Sequence, residues 1–405
     1  MKKKKIGLIP KLIMAILLGI FLGYFTMILS NKGFKSFEII MSIIITLANF
    51  FSLFLKFVIP LMILAFITKG IADLTQGAGK LLGFTTFVSY ASTLIAGTIA
   101  YIVAINLFPH FISSNLFNNL ADEGAFIQPL FSIDLKPLFD VTSAVVLAFV
   151  MGLSVSTMRG KEIGNVTYDF FTEFSAIITK VLNKAIIPFL PFYILSTFAN
   201  LTYSGQAFSI LSVLWKVFLT VLILHILYLI AIFIFAGTIS KQSPIKLLKN
   251  QIPGYLTAIG TQSSAATIPV NLACAEKNNT SPEIREFVIP LCANIHLAGS
   301  MITITSCVTS VLLMNNMDIS ISTIIPFILT LAVVMIASPG APGGGIMSAV
   351  PFLSMVGIDP DGALTGLLIT LYITQDSFGT ACNVSGDNAI AIIVDKFYKK
   401  HIKKN

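Results

Sequence analysis

Two aspartates, Asp376 and Asp387, stand eleven residues apart in a stretch from Gly362 to Val394 that carries no other charge and is long enough to cross a bilayer. Placing a carboxylate in hydrocarbon costs about 2.5–3.5 kcal/mol on insertion scales, so it persists where it faces a bundle interior and meets a cation, a proton or a polar solute. Hard cations take oxygen ligands, which carboxylates and unwound backbone carbonyls supply. This stretch is therefore where function is expected.

The elements that must hold these acids are membrane helices. Of 405 residues, 56% are hydrophobic and 11% charged, against roughly 25% charged in a soluble domain. Uncharged runs of about 20 residues span a bilayer core of ~30 Å. Leu81 to Pro109, Val141 to Met158, Ala185 to Trp215 and Val217 to Ser240 are charge-free, Ile39 to Thr68 holds only Lys56, and Phe287 to Met317 holds only His296. The first 240 residues predict six helices, at about 8–30, 40–70, 80–107, 138–158, 182–201 and 207–237, with a surface helix of mixed polarity within Gly160 to Asn183.

Net charge is +8, but in a membrane chain lysines set topology before they suggest nucleic acid, and no nucleic-acid partner is expected. Lys2 to Lys5, Lys69 with Lys80, Arg159 with Lys161, Lys241 with Lys246 and Lys249, and Lys396 to Lys404 occupy alternate loops, whereas His110 to Asp140 pairs one lysine with four acids. The scheme puts both termini in the cytoplasm after an even number of crossings of the plasma (inner) membrane; Lys32 and Lys35 are its exception. The first apolar run is too long for a signal peptide and lacks a nearby small-x-small site, so it reads as an uncleaved helix. Cys274, Cys292, Cys307 and Cys382 lie in or beside apolar segments without C-x-x-C spacing and read as small buried hydrophobes. There is no metal-ligand cluster, nucleophile elbow, phosphate loop or soluble catalytic domain, so an enzyme is not expected.

After residue 240 the pattern changes. Gln251 to Ala275 is uncharged, yet its middle is rich in hydroxyls and small residues; Ile319 to Ile358 is likewise uncharged but broken by four glycines and two prolines between Ser338 and Gly345. Such a run cannot hold a continuous helix, and unpaired backbone at membrane depth is tolerated only where protein buries it or it lines a wet cavity. Both segments read as re-entrant hairpins, each followed by a helix carrying polar residues. The first enters from the cytoplasmic side and the second from outside, an inverted repeat of the kind that builds secondary transporters with the site at its interface.

Thr261 to Asn271 (TQSSAATIPVN), Pro290 to Ser300 (PLCANIHLAGS), Gly340 to Gly345 (GAPGGG) and Asp376 to Asp387 (DSFGTACNVSGD) together resemble the dicarboxylate/amino acid:cation symporter family, the glutamate transporter homologues. The resemblance covers essentially the whole chain and implies an all-α membrane protein of eight transmembrane helices and two re-entrant hairpins. It also implies a homotrimer in lipid, with residues 1–240 mainly a scaffold, the third and sixth helices joining the transport part, and residues 241–405 an elevator-like transport core. In the family, the aspartate matching Asp376 pairs with a substrate ammonium, and the asparagine matching Asn383 holds the carboxylate with the serine matching Ser264 and tip amides; Ser263 and Gly340 are expected at the same substrate site. An amino acid zwitterion needs just such a buried anion and neutral donors. The aspartate matching Asp387 is a sodium ligand with main-chain oxygens at Cys292, His296 and Asn383; a second sodium sits near Asn294, Ile336 and Ser338.

The departures shape the expectation. Family members that take acidic substrates place or support an arginine at positions matching Gly379, Gln262 or Ser377, all uncharged here. Burying a second substrate carboxylate without a guanidinium partner is costly, so a small neutral amino acid is expected, with Ser300 or Thr380 beside its side chain. The segment 263–271 resembles the serine/threonine branch. An acidic amino acid or dicarboxylate is the alternative, and an ion channel a further one, since re-entrant loops also build pores. His296 and Ala298 replace an asparagine and an aspartate of the family's third sodium site. Coupling then uses fewer sodium ions, or a proton on His296 replaces one, unless the imidazole is simply a neutral buried hydrogen-bonder.

Overall fold

The computed structural model describes residues 8–74, 79–112, 126–139, 141–159, 163–205, 207–335, 338, 343–360 and 362–401; among these there is helix and no strand. The six apolar runs of the first part form α1 (Leu8–Asn31), α2 (Ser36–Leu74), α3 (Gly79–Leu107), α4 (Val141–Met158), α6 (Ile187–Tyr203) and α7 (Ala207–Ser240). The segment expected to be a separate surface helix forms α5 (Asn165–Val181), but it runs through a π-helical turn at Leu182–Ile186 straight into α6 and packs on α2. It is amphipathic: Phe171 and Ile178 are buried, one seven-residue repeat apart, so that face needs a partner.

α1 packs along α6 through glycines one helical turn apart. A Cβ on Gly19 would lie 2.5 Å from Leu195 O, and one on Gly23 would lie 2.1 Å from Ala199 O, so only glycine lets the two backbones meet. Gly23→Leu is expected to lower the folded protein recovered from membranes severalfold, measured by size-exclusion of a tagged chain. Gly83→Leu serves as the control, because an added Cβ there meets nothing within 4 Å.

The second part begins with a helical hairpin. α8 (Pro244–Thr261) and α9 (Ser264–Lys277) are joined by Gln262, in the left-handed region at φ 54°, and Ser263, whose Oγ caps α9 by accepting from Ala266 N. Three rungs show the arms are antiparallel: Asn250 to Asn278 at 2.9 Å, Gln251 to Asn271 at 2.9 Å, and Thr261 to Thr267 at 3.0 Å near the tip. Asparagines also fasten the hairpin to α14 (Ala363–His401), Asn271 donating to Val384 O at 2.9 Å and Asn278 to Asn388 Oδ1 at 3.1 Å.

Next come α10 (Pro282–Ile295) and α11 (Ala298–Met314), one apolar run broken at His296 and Leu297, which leave helical geometry. α12 (Ile321–Met335) packs on α13 (Gly344–Ala349) and on the 3-10 turn that continues it at Val350–Val356, in the segment where the sequence predicts a second hairpin. Ile336 and Gly340 lie outside the described residues. α3, α7, α8 and α9 to α11 gather around α14, while α1, α2, α4, α5 and α6 pack mainly among themselves.

Among the described residues six stretches are long and apolar enough to cross a membrane: Ile13–Asn31, Ser36–Phe54, Lys80–His110, Asn165–Tyr203, Val213–Ser240 and Pro282–Met314. α14 has the length, at 39 residues, but its middle from Gln375 to Asn388 is polar, and the apolar piece of α4, Val146–Met158, is short.

Candidate substrate and cation site

The break between α10 and α11 brings a buried histidine against α14. His296 Nδ1 lies 2.9 Å from Asp387 Oδ1, and both side chains are almost wholly shielded, at 0% and 1% exposure. The other ring nitrogen, Nε2, meets Tyr228 Oη at 3.1 Å and Ser92 Oγ at 3.2 Å, and those two hydroxyls lie 2.6 Å apart. In a neutral ring that donates Nδ1–H to the carboxylate, Nε2 accepts from one of the hydroxyls; in an imidazolium both nitrogens donate. Asp387 has no lysine or arginine partner among the described residues, so its charge is balanced only by this ring or by a cation that arrives from outside. An oxygen-preferring ion such as sodium fits a buried carboxylate beside a helix break, where main-chain carbonyls leave their ladder.

About three turns earlier on α14, Asp376 faces the second hairpin. Its Oδ2 accepts from Gly343 N at 2.7 Å. Tyr372, one turn earlier on the helix, donates to Ser300 Oγ at 3.0 Å, and Asn383 Nδ2 donates to the same oxygen at 3.0 Å. The Asn383 amide oxygen accepts from Gly299 N at 2.7 Å and Ser300 N at 3.3 Å, the free amides at the start of α11. Asp376, Asn383 and Ser300 thus form one buried patch with an anion at one end and neutral donors at the other.

Helices α11 and α14 touch backbone to backbone here: a Cβ on Gly299 would lie 2.4 Å from Gly379 O. Gly379 itself opens toward Thr303, whose Oγ1 would stand 3.5 Å from an added Cβ. Gln262 at the first tip donates to Ser377 Oγ at 3.0 Å, so two further positions of interest are occupied by each other. No arginine or lysine enters this patch among the described residues; none occurs in the sequence between Arg285 and Lys396.

The sequence pattern of the Sodium:dicarboxylate symporter family matches residues 8–397. The chain belongs to the sodium:dicarboxylate symporter family. Similar curated proteins include excitatory amino acid transporter 3 of Oryctolagus cuniculus, 29% identical over 269 residues, and that of Homo sapiens, 28% identical over 269 residues. Each alignment covers 65% of this chain and 50% of the relative. Excitatory amino acid transporter 1 of Ambystoma tigrinum is 27% identical over 268 residues, 64% of this chain and 47% of the relative. The chain spans about half the length of the curated relatives it matches. It is a member of a symporter family, not of an enzyme family, and its apolar helices suit a membrane.

In this member of the family the residues expected at the site are placed unevenly. Ser300, Asp376 and Asn383 share one patch, and Thr380, buried, lies on the same helix between the last two. Cys292, His296 and Asp387 meet at the helix break, where Cys292 O accepts from His296 N at 2.9 Å and Cys292 Sγ touches Ser89 Oγ. Ser264 is buried at the first tip and Ser263 caps its second arm. Ser338 is buried with no partner for its hydroxyl among the described residues. The Asn294 side chain is exposed and donates through Nδ2 to Pro290 O on its own helix at 3.2 Å.

Five contributors are invisible in the spacing of the chain. Ser92, Tyr228 and Tyr372 arrive from elsewhere on the fold to bond His296 and Ser300. His225, on α7, donates through Nε2 to Gly299 O at 3.0 Å and so braces the start of α11. Gly386 makes room for the His296 ring: a Cβ there would lie 2.5 Å from His296 Cε1. Gly386→Ala is expected to push the ring off Asp387 and alter the half-saturating sodium concentration for uptake severalfold, with expression unchanged; sodium titration of uptake measures it.

Proposed function

We propose that the chain is a sodium-coupled symporter that carries a small neutral amino acid such as serine or threonine into the cell. The observation that carries this reading is Asp376, a buried carboxylate without a cationic partner among the described residues, beside Asn383 and Ser300. The carboxylate receives the substrate ammonium; neutral amides and hydroxyls, including Ser263, Ser264 and the Gly340 tip, receive its carboxylate. Gly379 and the Gln262–Ser377 pair leave the side-chain end without a guanidinium, which suits a neutral side chain near Ser300 and Thr380.

A second reading, an acidic amino acid or dicarboxylate, is favoured by whole-chain likeness, since the family is described by dicarboxylates and the relatives cited above are named for excitatory amino acids. The neutral reading rests on the side-chain end of the patch alone. Competition of unlabelled serine, threonine, alanine, aspartate and glutamate against labelled serine in reconstituted vesicles separates the two. Displacement by the neutral amino acids alone supports the first; stronger displacement by aspartate or glutamate overturns it. Counterflow of labelled against unlabelled substrate excludes a channel.

For coupling, Asp387 is the proposed sodium ligand with main-chain oxygens of Cys292, His296 and Asn383, and a second ion is proposed near Asn294, Ile336 and Ser338. The His296 ring, bonded to Ser92 and Tyr228, fills the room next to Asp387, which supports a lower sodium count than a three-ion carrier. The alternative, a proton in place of one sodium ion, is distinguished by driving uptake with a sodium gradient at fixed pH, with and without a proton gradient. The separate packing of α1, α2, α4, α5 and α6 from the helices around α14 supports a scaffold and a sliding transport core. Eight transmembrane helices, two re-entrant hairpins, cytoplasmic termini, a homotrimer and the plasma membrane complete the proposal.

A further inference from the structure

A second buried histidine, on α7, touches neither aspartate through any hydrogen bond among the described residues. His225 is 1% exposed, and its helix packs on both α11 and α14. Its Nε2 lies 3.0 Å from Gly299 O; a carbonyl only accepts, so Nε2 carries the hydrogen. Thr303 Oγ1 donates to the same carbonyl at 3.1 Å. The other ring nitrogen, Nδ1, is buried with no hydrogen-bond partner among the described residues. An unpaired buried acceptor costs stability, and an apolar side chain would avoid that cost. Packing alone therefore does not ask for a histidine at this position.

The carbonyl that His225 holds belongs to the same peptide unit as Ser300 N. That amide donates to Asn383 Oδ1 at 3.3 Å, and Asn383 Nδ2 donates in turn to Ser300 Oγ at 3.0 Å. The bonds form one directed chain: ring N–H to peptide carbonyl, peptide N–H to side-chain amide oxygen, side-chain N–H to hydroxyl. An amide that accepts at its oxygen donates more strongly at its nitrogen, so each link strengthens the next. Ser300 Oγ also accepts from Tyr372 at 3.0 Å, which leaves its own hydrogen free to donate. We propose that His225 is a positioning residue for substrate binding: it orients and polarises the Asn383 and Ser300 donors that receive the substrate carboxylate. The inference rests on Asn383 and Ser300 being those donors in the proposed symporter.

The test is the kinetics of uptake by the full chain in reconstituted vesicles at saturating sodium, with whichever labelled amino acid the wild type takes up. His225→Leu is expected to raise KM about fivefold, the size of one lost buried hydrogen bond, with Vmax within about twofold and no earlier thermal unfolding. Glutamine can bring its Nε2 to the same carbonyl, so His225→Gln should keep KM within about twofold of the wild type. His225→Asn, whose amide ends one bond shorter, should raise KM as leucine does, and this polar pair decides the matter if the leucine variant fails to fold. Ser300→Ala should raise KM on its own, and adding His225→Leu should raise it by less than the product of the two effects, since both act on one chain. An unchanged KM in His225→Leu, a glutamine variant as impaired as the asparagine one, or effects that multiply overturn the role of His225. An unchanged KM in Ser300→Ala overturns the site reading itself, whatever the His225 variants do.

Discussion

Asp376→Asn is expected to cut uptake of labelled substrate at subsaturating concentration by about a hundredfold or more. Removing one partner of a buried charge pair costs about 3–5 kcal/mol, and each 1.4 kcal/mol is tenfold in affinity. Asparagine keeps the shape and can keep an oxygen acceptor for Gly343 N, now 2.7 Å from Asp376 Oδ2, so the second hairpin retains its contact. The loss then falls on the ammonium rather than on the fold. Thermal unfolding without substrate should be unchanged or improved, because the variant no longer buries an unpaired carboxylate. A variant that unfolds early would instead mean that Asp376 serves the architecture.

Asp387→Asn is expected to raise the half-saturating sodium concentration for uptake by about a hundredfold, by the same charge arithmetic. Carboxylate oxygens are the strongest ligands a hard cation can find at this helix break, and Asp387 is the acid that His296 orients, through a 2.9 Å bond. Asparagine can still bond the imidazole, so the Ser92, Tyr228 and His296 cluster keeps its frame. At saturating sodium, the relative preference among amino acids should stay as in the wild type, since Asp376, Asn383 and Ser300 are untouched. Sodium titration of uptake, together with substrate competition at high sodium, reads both effects.

The two acids are legible in the sequence because a charge in an apolar run is rare and expensive. The first hairpin is legible for a related reason: Thr261 to Thr267 is too polar for a lipid-facing helix, and its structure is a two-residue turn at Gln262 and Ser263. The break at His296 is harder to see, because Phe287 to Met317 reads as one apolar run and no proline or glycine sits at the break itself. The continuity of α5 with α6 is hidden too, since mixed polarity in Gly160 to Asn183 suggests a separate surface element while the backbone ladder simply continues through a π-helical turn. Ser92 and Tyr228 carry no signal at all. Each is an ordinary residue of an apolar helix, and only folding places them 204 and 68 residues along the chain from His296 yet within hydrogen-bond distance of its ring.

The most direct measurement is accumulation of labelled serine in proteoliposomes under an inward sodium gradient at fixed pH, for the wild type and Asp376→Asn side by side. The wild type is expected to concentrate serine above its outside level, dissipating the sodium gradient to abolish this, and Asp376→Asn to fail to accumulate it. Accumulation indifferent to the sodium gradient, or equal in the two proteins, would contradict this expectation.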